Sequence, residues 1–183
     1  MIQKQKKILM ITSSTVGGGP QQLLLLASEL QNIYEISIAT PFDQFYLQKL
    51  NILSISNLIS VEKRTFNLVD LFRLVYFIIK KKISIIHSHG KAAGVLGRFS
   101  SLLTGIPLVH TFHGIHVSGK SNFARWAYIL YEKIFSRIDL YDIYVSNSEK
   151  IMAENYFNHP KNLSFIIPNG VRDFNGEFSL DTN

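Results

Sequence analysis

Short apolar runs alternate with longer stretches of helical periodicity from residue 7 to residue 170. The apolar runs at 7–12 (KILMIT), 34–41 (YEISIATP), 52–56 (ILSIS), 83–89 (ISIIHSH), 107–114 (PLVHTFHG), 140–147 (LYDIYVSN) and 163–170 (LSFIIPNG) read as strands. Helices are predicted over 21–31, 42–50, 67–82, 92–103, 122–137 and 149–157. Asn67 suits an N-cap, and Gly105 and Pro107 close the fourth helix. No internal repeat or low-complexity linker interrupts the alternation.

Strands that alternate with helices imply parallel pairing, right-handed crossovers and helices on both faces. The expected fold is a doubly wound, mostly parallel, Rossmann-like α/β sheet of six or seven strands over residues 1–172, with a polar tail at 173–183. In such sheets ligands bind beyond the carboxyl ends of the strands. Those ends carry Gly17-Gly18-Gly19, Thr40-Pro41, His87-Ser88-His89-Gly90-Lys91, His113-Gly114, Ser146-Asn147-Ser148 and Asn169-Gly170. Five of the six histidines lie in this set or beside it. The glycines leave a bare backbone between a strand and a helix, where free N–H groups bind anions. The same residues also suit an ordinary tight βα turn.

The composition narrows the classes. With 183 residues, 46% apolar and 17% charged, the chain can bury one core. The absence of cysteine removes disulfides, thiolate metal sites and cysteine nucleophiles, and fits a reducing, cytoplasmic setting. The net charge of +6 is partly local, with lysines at Lys4, Lys6, Lys7 and Lys80 to Lys82. Such clusters suit an acidic partner, although the second also complements a helix dipole. No interleaved aromatic and basic stripe points to nucleic acid. The apolar run of Ile8 to Ile11 is too short for a signal peptide. The most membrane-like stretch, 68–79, is interrupted by Asp70 and Arg73 and falls short of the ~20 residues of a span.

Several chemistries fail on spacing. No Gly-Lys-Ser/Thr follows the glycine loop, so it is not a Walker loop. Gln22 occupies the last position of a dinucleotide fingerprint, and the second strand ends at Ala39-Thr40 without an acid for a ribose. No G-x-S-x-G marks a nucleophile elbow. His87 and His89 share a strand face, with His110, His113 and His116 near the next strand end. A zinc hydrolase would use such a cluster, but no Asp or Glu stands beside it to complete a shell or orient the rings.

The stretch HSHGKAAGVLGRFSSLLTGIPLVHTFHGIH resembles the N-terminal domain of family 4 glycosyltransferases. The opening GGPQQLLLLASEL resembles the family's Gly-Gly loop and first helix, YEKIFSRIDLYDIYVSNSE its Glu-containing helix and following strand, and IIPNGV its closing Asn-Gly turn. The resemblance covers nearly the whole chain in order. It implies one half of the two-domain GT-B architecture, and hexosyl transfer from a nucleotide sugar to a lipid-linked or glycan acceptor in capsule or exopolysaccharide synthesis. Configuration would be retained, and neither a metal nor another cofactor would be needed.

By the same resemblance, Gly18 and Gly19 would let the donor diphosphate or the acceptor approach the first helix. His113 would contact the transferred sugar or stabilise the transition state. His89, Gly90 and Lys91 would meet the acceptor, Asn169 and Gly170 would form the cleft edge, and Arg98, Glu132 and Ser146 are expected to be structural. Two departures stand out. The family's second domain, with its Glu-x7-Glu motif, lies beyond these residues, and Pro20-Gln21-Gln22 stands where an acidic and a basic residue often follow the glycines. The expectation is an acceptor-binding half, inactive without a separate donor-binding half. The alternative is a non-catalytic acceptor-binding subunit or truncated relic. SGKSNFARW, with Lys120, Phe123, Arg125 and Trp126, suits peripheral contact at the inner membrane face.

Overall fold

A computed structural model describes residues 6–55, 57–115, 121–158, 163–172 and 178–180. Seven strands form one parallel sheet: β1 (Lys7–Thr12), β2 (Glu35–Thr40), β3 (Leu58–Ser60), β4 (Ile85–His89), β5 (Leu108–Phe112), β6 (Asp139–Tyr144) and β7 (Ser164–Ile166). Their order is β3-β2-β1-β4-β5-β6-β7, with parallel pairing throughout. The α-helices are α1 (Gly18–Leu30), α2 (Gln44–Ile52), α3 (Leu68–Lys81), α4 (Lys91–Thr104), α5 (Asn122–Phe135) and α6 (Asn147–Phe157). A separate antiparallel pair, β8 (Gly170–Arg172) and β9 (Phe178–Leu180), follows where the sequence shows only a polar stretch.

Side-chain alternation along β1 divides the core. Ile8 and Met10 pack with Leu23, Leu24 and Ala27 of α1 and with Tyr46 and Leu50 of α2. Leu9 and Ile11 face the other way, toward Leu71, Leu74 and Ile78 of α3 and Ala93 and Leu96 of α4. Farther along, Phe112 and Tyr144 pack with Tyr128 of α5 and Phe157 of α6. Asn67 caps α3 as expected, its side chain accepting from the Val69 N–H, and Gly105 closes α4 in the left-handed region.

The third strand lies six residues beyond its expected start. Asp43 caps α2 by accepting from the Tyr46 N–H, which sets the helix start at Gln44, and the helix runs through Ile52. Ser54 then turns the chain at φ 57, and pairing with β2 begins only at Leu58. The apolar, β-compatible run at 52–55 is therefore a helix end and a turn; Ser56 lies outside the described residues.

Two glycines set how closely α4 lies on the sheet. A Cβ at Gly94 would stand 2.6 Å from the His110 ring, and one at Gly97 would stand 3.0 Å from the Ser88 Cβ. Beneath α4, Arg98 is 1% exposed. Its Nε donates to both oxygens of Asp139 at 3.1 and 3.0 Å, Nη2 to Asp139 Oδ2 at 2.7 Å and Nη1 to Glu132 Oε2 at 2.9 Å. Burial pushes Asp139 and Asp142 up to about 7 against the pull of Arg98. Three carboxylates around one guanidinium cannot all ionise out of water. Asp139 and Asp142, hydrogen-bonded to each other, are both held above the ordinary carboxylate range by burial, so the pair keeps a proton between them more readily than free carboxylates do. Arg98 and Glu132 are thus structural, tying α4 to α5 and β6.

Removing the cation strands buried carboxylates, so Arg98→Ala is expected to cost about 3–5 kcal/mol in urea unfolding. Arg98→Lys should recover only part of this, because an ammonium cannot make the fork. A loss under about 1 kcal/mol, the scale of an exposed pair, would contradict this role.

Candidate functional site

The strand order reverses direction between β1 and β4, and a cleft of about 790 Å³ opens at their carboxyl ends. Gly18, Gly19, His89, Gly90, Lys91, His113 and Asn169 all line it. Gly170 does not: it borders neighbouring hollows beside Leu25, because the chain has turned away from the sheet edge toward β8. His116, Lys120 and His159 lie outside the described residues.

Two helix N-termini converge on this cleft. The N-caps of α1 and α4 are Gly17 at φ 100 and Gly90 at φ 81, and neither helix has a side-chain cap. Asp43, Asn67, Ser121 and Ser146 cap the other four α-helices among the described residues. Among the described α-helices, α1 and α4 are the two whose first N–H groups are free of side-chain caps, which is the arrangement that receives an anion. Gly90 is held in place by its N–H, which donates to the Thr111 carbonyl at 2.9 Å. The Lys91 ammonium lies 3.9 Å above the Tyr128 ring, which ties the charge to α5.

The glycine loop also fits closely against the polar end of β5. A Cβ at Gly19 would stand 3.0 Å from His113 Cδ2, and one at Gly18 would stand 3.3 Å from Asn169 Nδ2. A Cβ at either position would press on these side chains by a few tenths of an ångström, so the protein's own packing favours a bare backbone there whatever the ligand. His113 Nε2 lies 3.3 Å from His89 Nδ1, and His87 Nε2 lies 2.9 Å from Thr111 Oγ1. The His87 and His89 rings sit 4.2 Å apart, on one strand face as expected. The histidines bond to one another and to a threonine. Among the described residues, no three His, Cys, Asp or Glu are grouped to hold a metal ion.

Burial lowers His113 to about 4, and burial with the nearby His113 charge lowers His87 to about 4. His89 falls well below the ordinary range, through burial first and then the neighbouring His87. At neutral pH these rings are uncharged, so one hydrogen is shared between His89 Nδ1 and His113 Nε2. The outer nitrogens, His89 Nε2 and His113 Nδ1, are buried without a partner.

Among the cleft residues that were not legible as site residues are Arg64, Phe66 and Glu149. Arg64 sits at φ 58 with its N–H donating to the Ser13 carbonyl at 2.9 Å, which joins the loop after β3 to the loop after β1. The strand-end rule would have found Arg64 and Phe66 had β3 been placed correctly. Glu149 comes from the first turn of α6, whose Ser146 cap accepts from its N–H.

Between pH 6.5 and about 4 the native His87 and His113 bind fewer protons than the unfolded chain, so both favour folding less as pH falls. The Asp139–Asp142 pair, raised from 3.8 to about 7, acts in the opposite sense over much of that window. Site-resolved NMR separates the two. The imidazole resonances of His87 and His113 should stay in the neutral form through pH 5 and titrate near 4. Midpoints near the ordinary 6.5 would mean that the rings are solvated. Gly19→Ala should shift the His113 resonances while costing under about 1 kcal/mol, since this glycine sits within helical backbone.

A profile of glycosyltransferase family 4 matches residues 16–173. The chain is 32% identical over 120 residues to the UDP-Gal:alpha-D-GlcNAc-diphosphoundecaprenol alpha-1,3-galactosyltransferase of Escherichia coli, covering 62% of this chain and 29% of that enzyme. A glycosyltransferase from Rickettsia africae superimposes with a TM-score of 0.71 at 17% identity, over 93% of this chain and 44% of that one. HepE of Anabaena, in complex with UDP and glucose, superimposes at 0.69 and 20% identity, over 91% and 45%. The chain spans less than half the length of each of these relatives. Its sheet is that of a Rossmann-like half of the GT-B fold, and the match across 16–173 makes the chain a member of glycosyltransferase family 4.

Proposed function

We propose that this chain forms the acceptor-side wall of a retaining glycosyltransferase, which moves a hexosyl group from a nucleotide sugar to a lipid-linked or glycan acceptor in surface polysaccharide synthesis. One observation carries the reading: two uncapped helix N-termini and the His89–His113 pair meet in a single cleft of a family 4 chain. The Escherichia coli relative is named for UDP-Gal and a diphosphoundecaprenol-linked sugar, and the HepE complexes contain UDP, glucose or UDP-glucose. A uridine diphosphate sugar and a diphosphate-bearing lipid acceptor fit this cleft by the same chemistry.

As the bond to the sugar breaks, charge accumulates on the departing diphosphate. Free N–H groups at Gly18 and Gly19 meet that charge with oriented dipoles, which is why neither metal nor other cofactor is required. His113, uncharged and held by His89, contacts the transferred sugar. Gly90 and Lys91 face the acceptor, with Asn169 at the cleft edge. The base and ribose of the donor need a second wall, and a donor-binding half supplies it. The protein works in the cytoplasm at the inner membrane face, with Phe123 and Trp126 exposed for contact there. No described helix is long and apolar enough to cross a membrane.

The test is a radiolabelled sugar-transfer assay with and without a donor-binding half. The 183 residues alone should be inactive, and the reconstituted enzyme active. His113→Ala should lower its turnover roughly a hundredfold, on the scale of losing one oriented transition-state contact, with little change in unfolding. In the isolated chain the same substitution should change nothing measurable. Robust transfer by the chain alone would overturn the half-enzyme reading. Acceptor binding with no transfer in any pairing would favour a non-catalytic subunit.

A further inference from the structure

Among the described residues, four that are not glycine take left-handed backbone angles: Ser54 at φ 57, Arg64 at φ 58, Lys82 at φ 56 and Asn158 at φ 57. Three have a local reason. Lys82 and Asn158 are the C-caps of α3 and α6, and Ser54 follows the C-cap of α2, all places where a left-handed residue ends a helix. Arg64 ends nothing. It stands in the loop between β3 and α3, where a non-glycine residue keeps this conformation only if its surroundings impose it.

The surroundings do impose it. The Val61 N–H donates to the Thr40 carbonyl at 3.2 Å and the Glu62 N–H to Asp70 Oδ2 at 2.7 Å. Asp70 is itself buried, and Arg73 Nη1 bridges it to the Ser60 carbonyl. The Arg64 N–H is held by the Ser13 carbonyl, in the loop that leads into α1. All these bonds fix the backbone around Arg64. The residue itself is exposed, lines the cleft with Gly17, Gly18 and Gly19, and pairs with no carboxylate among the described residues. Glu149, the one carboxylate among the cleft-lining residues, accepts from the Val145 N–H at 3.3 Å instead. Two other residues that line the cleft hold buried polar atoms without a partner, His89 Nε2 and Asn169 Oδ1.

We propose that Arg64 is a diphosphate clamp, which grips the anion received at the α1 N-terminus. A guanidinium forks two phosphate oxygens while helix amides meet others. The bond to Ser13 gives both halves of the clamp one anchor, so the left-handed turn sets the charge against the glycine loop. A purely structural turn would favour glycine or asparagine, which accept this φ with little strain. Arginine here gives up stability for a charge in the cleft. The ligand chemistry is a diphosphate, carried by a nucleotide sugar or by a lipid-linked acceptor. That either one is a substrate rests on the transferase reading; the clamp on a diphosphate does not.

The experiment is an NMR titration of the labelled chain with inorganic pyrophosphate, UDP and geranyl diphosphate in turn, followed at the Gly18 and Gly19 amides. Arg64→Asn removes the charge in a residue that tolerates the turn. It should weaken pyrophosphate binding about tenfold, the scale of one charge-assisted hydrogen bond, while the urea midpoint holds or rises. Arg64→Lys should recover part of the affinity, since an ammonium keeps the charge and loses the fork. Lys63→Asn removes the neighbouring exposed charge, which does not line the cleft, and should bind like the original chain.

A loss for UDP alone would assign the clamp to the donor, and a loss for geranyl diphosphate alone to the acceptor; either upholds it, as does a loss for both. Unchanged affinities in Arg64→Asn, an equal loss in Lys63→Asn, or no saturable binding of any probe would overturn it. So would a lower urea midpoint for Arg64→Asn, because the arginine would then be serving the fold. Arg64-dependent pyrophosphate binding without sugar transfer in any pairing would sink the transferase reading alone. Transfer by a reconstituted Arg64→Asn enzyme with unchanged KM for both substrates would sink the clamp alone.

Discussion

The site depends on one topological constraint, the reversal of strand order between β1 and β4. Crossovers of one hand carry the chain to one side from β1 and to the other from β4. α1 and α4 therefore leave adjacent strands toward opposite faces, and their N-termini spread apart at the shared edge. The crevice between them exists before any side chain is chosen. Glycine follows from it: Gly17 and Gly90 take φ values of 100 and 81 to leave the strands, and a glycine supplies no capping oxygen to the first N–H groups.

What lies under the crevice is unusually polar for the centre of a sheet. On β4 and β5, His87 pairs with Thr111, Ser88 with His110 and His89 with His113. The last pair reaches the cleft, and the Ser88–His110 pair lies against α4. Gly94 and Gly97 let α4 come down onto Ser88 and His110, and the Arg98 fork then locks the helix to β6 and α5. The precision of the α4 N-terminus at the cleft follows from this packing, since Lys91 begins the helix one residue after His89-Gly90 with no loop to absorb error. Buried networks of this kind hold a geometry tightly when satisfied. The unpartnered His89 Nε2 and His113 Nδ1 mark where satisfaction stops.

Much of this was legible in the residues. Strand and helix alternation fixed a parallel doubly wound sheet, and the strand-end rule gathered Gly18, Gly19, His89, Gly90, Lys91, His113 and Asn169, which one cleft now holds. The failures have local causes. The ILSIS run has β-compatible residues, but α2 continues through Ile52 and the chain turns at Ser54, and with the strand misplaced Arg64 and Phe66 went unnoticed. Gly170 looked like a cleft residue because it ends a strand-like run, yet the turn at Pro168-Asn169 sends it to β8. Gly94 and Gly97 read as part of a motif, and no pattern shows that His110 and Ser88 would press on them. The burial of every acid from 63 to 146 was equally invisible, because sequence counts charges without saying which face water.

The central claim is that the crevice between the α1 and α4 N-termini receives phosphate. Amide-resolved NMR of the labelled chain, titrated with pyrophosphate and then with a nucleotide sugar, tests it most directly. The account predicts shifts concentrated at Gly18, Gly19, Gly90, Lys91 and Gly114, with the strand starts at Lys7, Ile85 and Leu108 unmoved. Shifts spread over the lysine-rich end of α3, or none at the glycine amides at millimolar ligand, would contradict it.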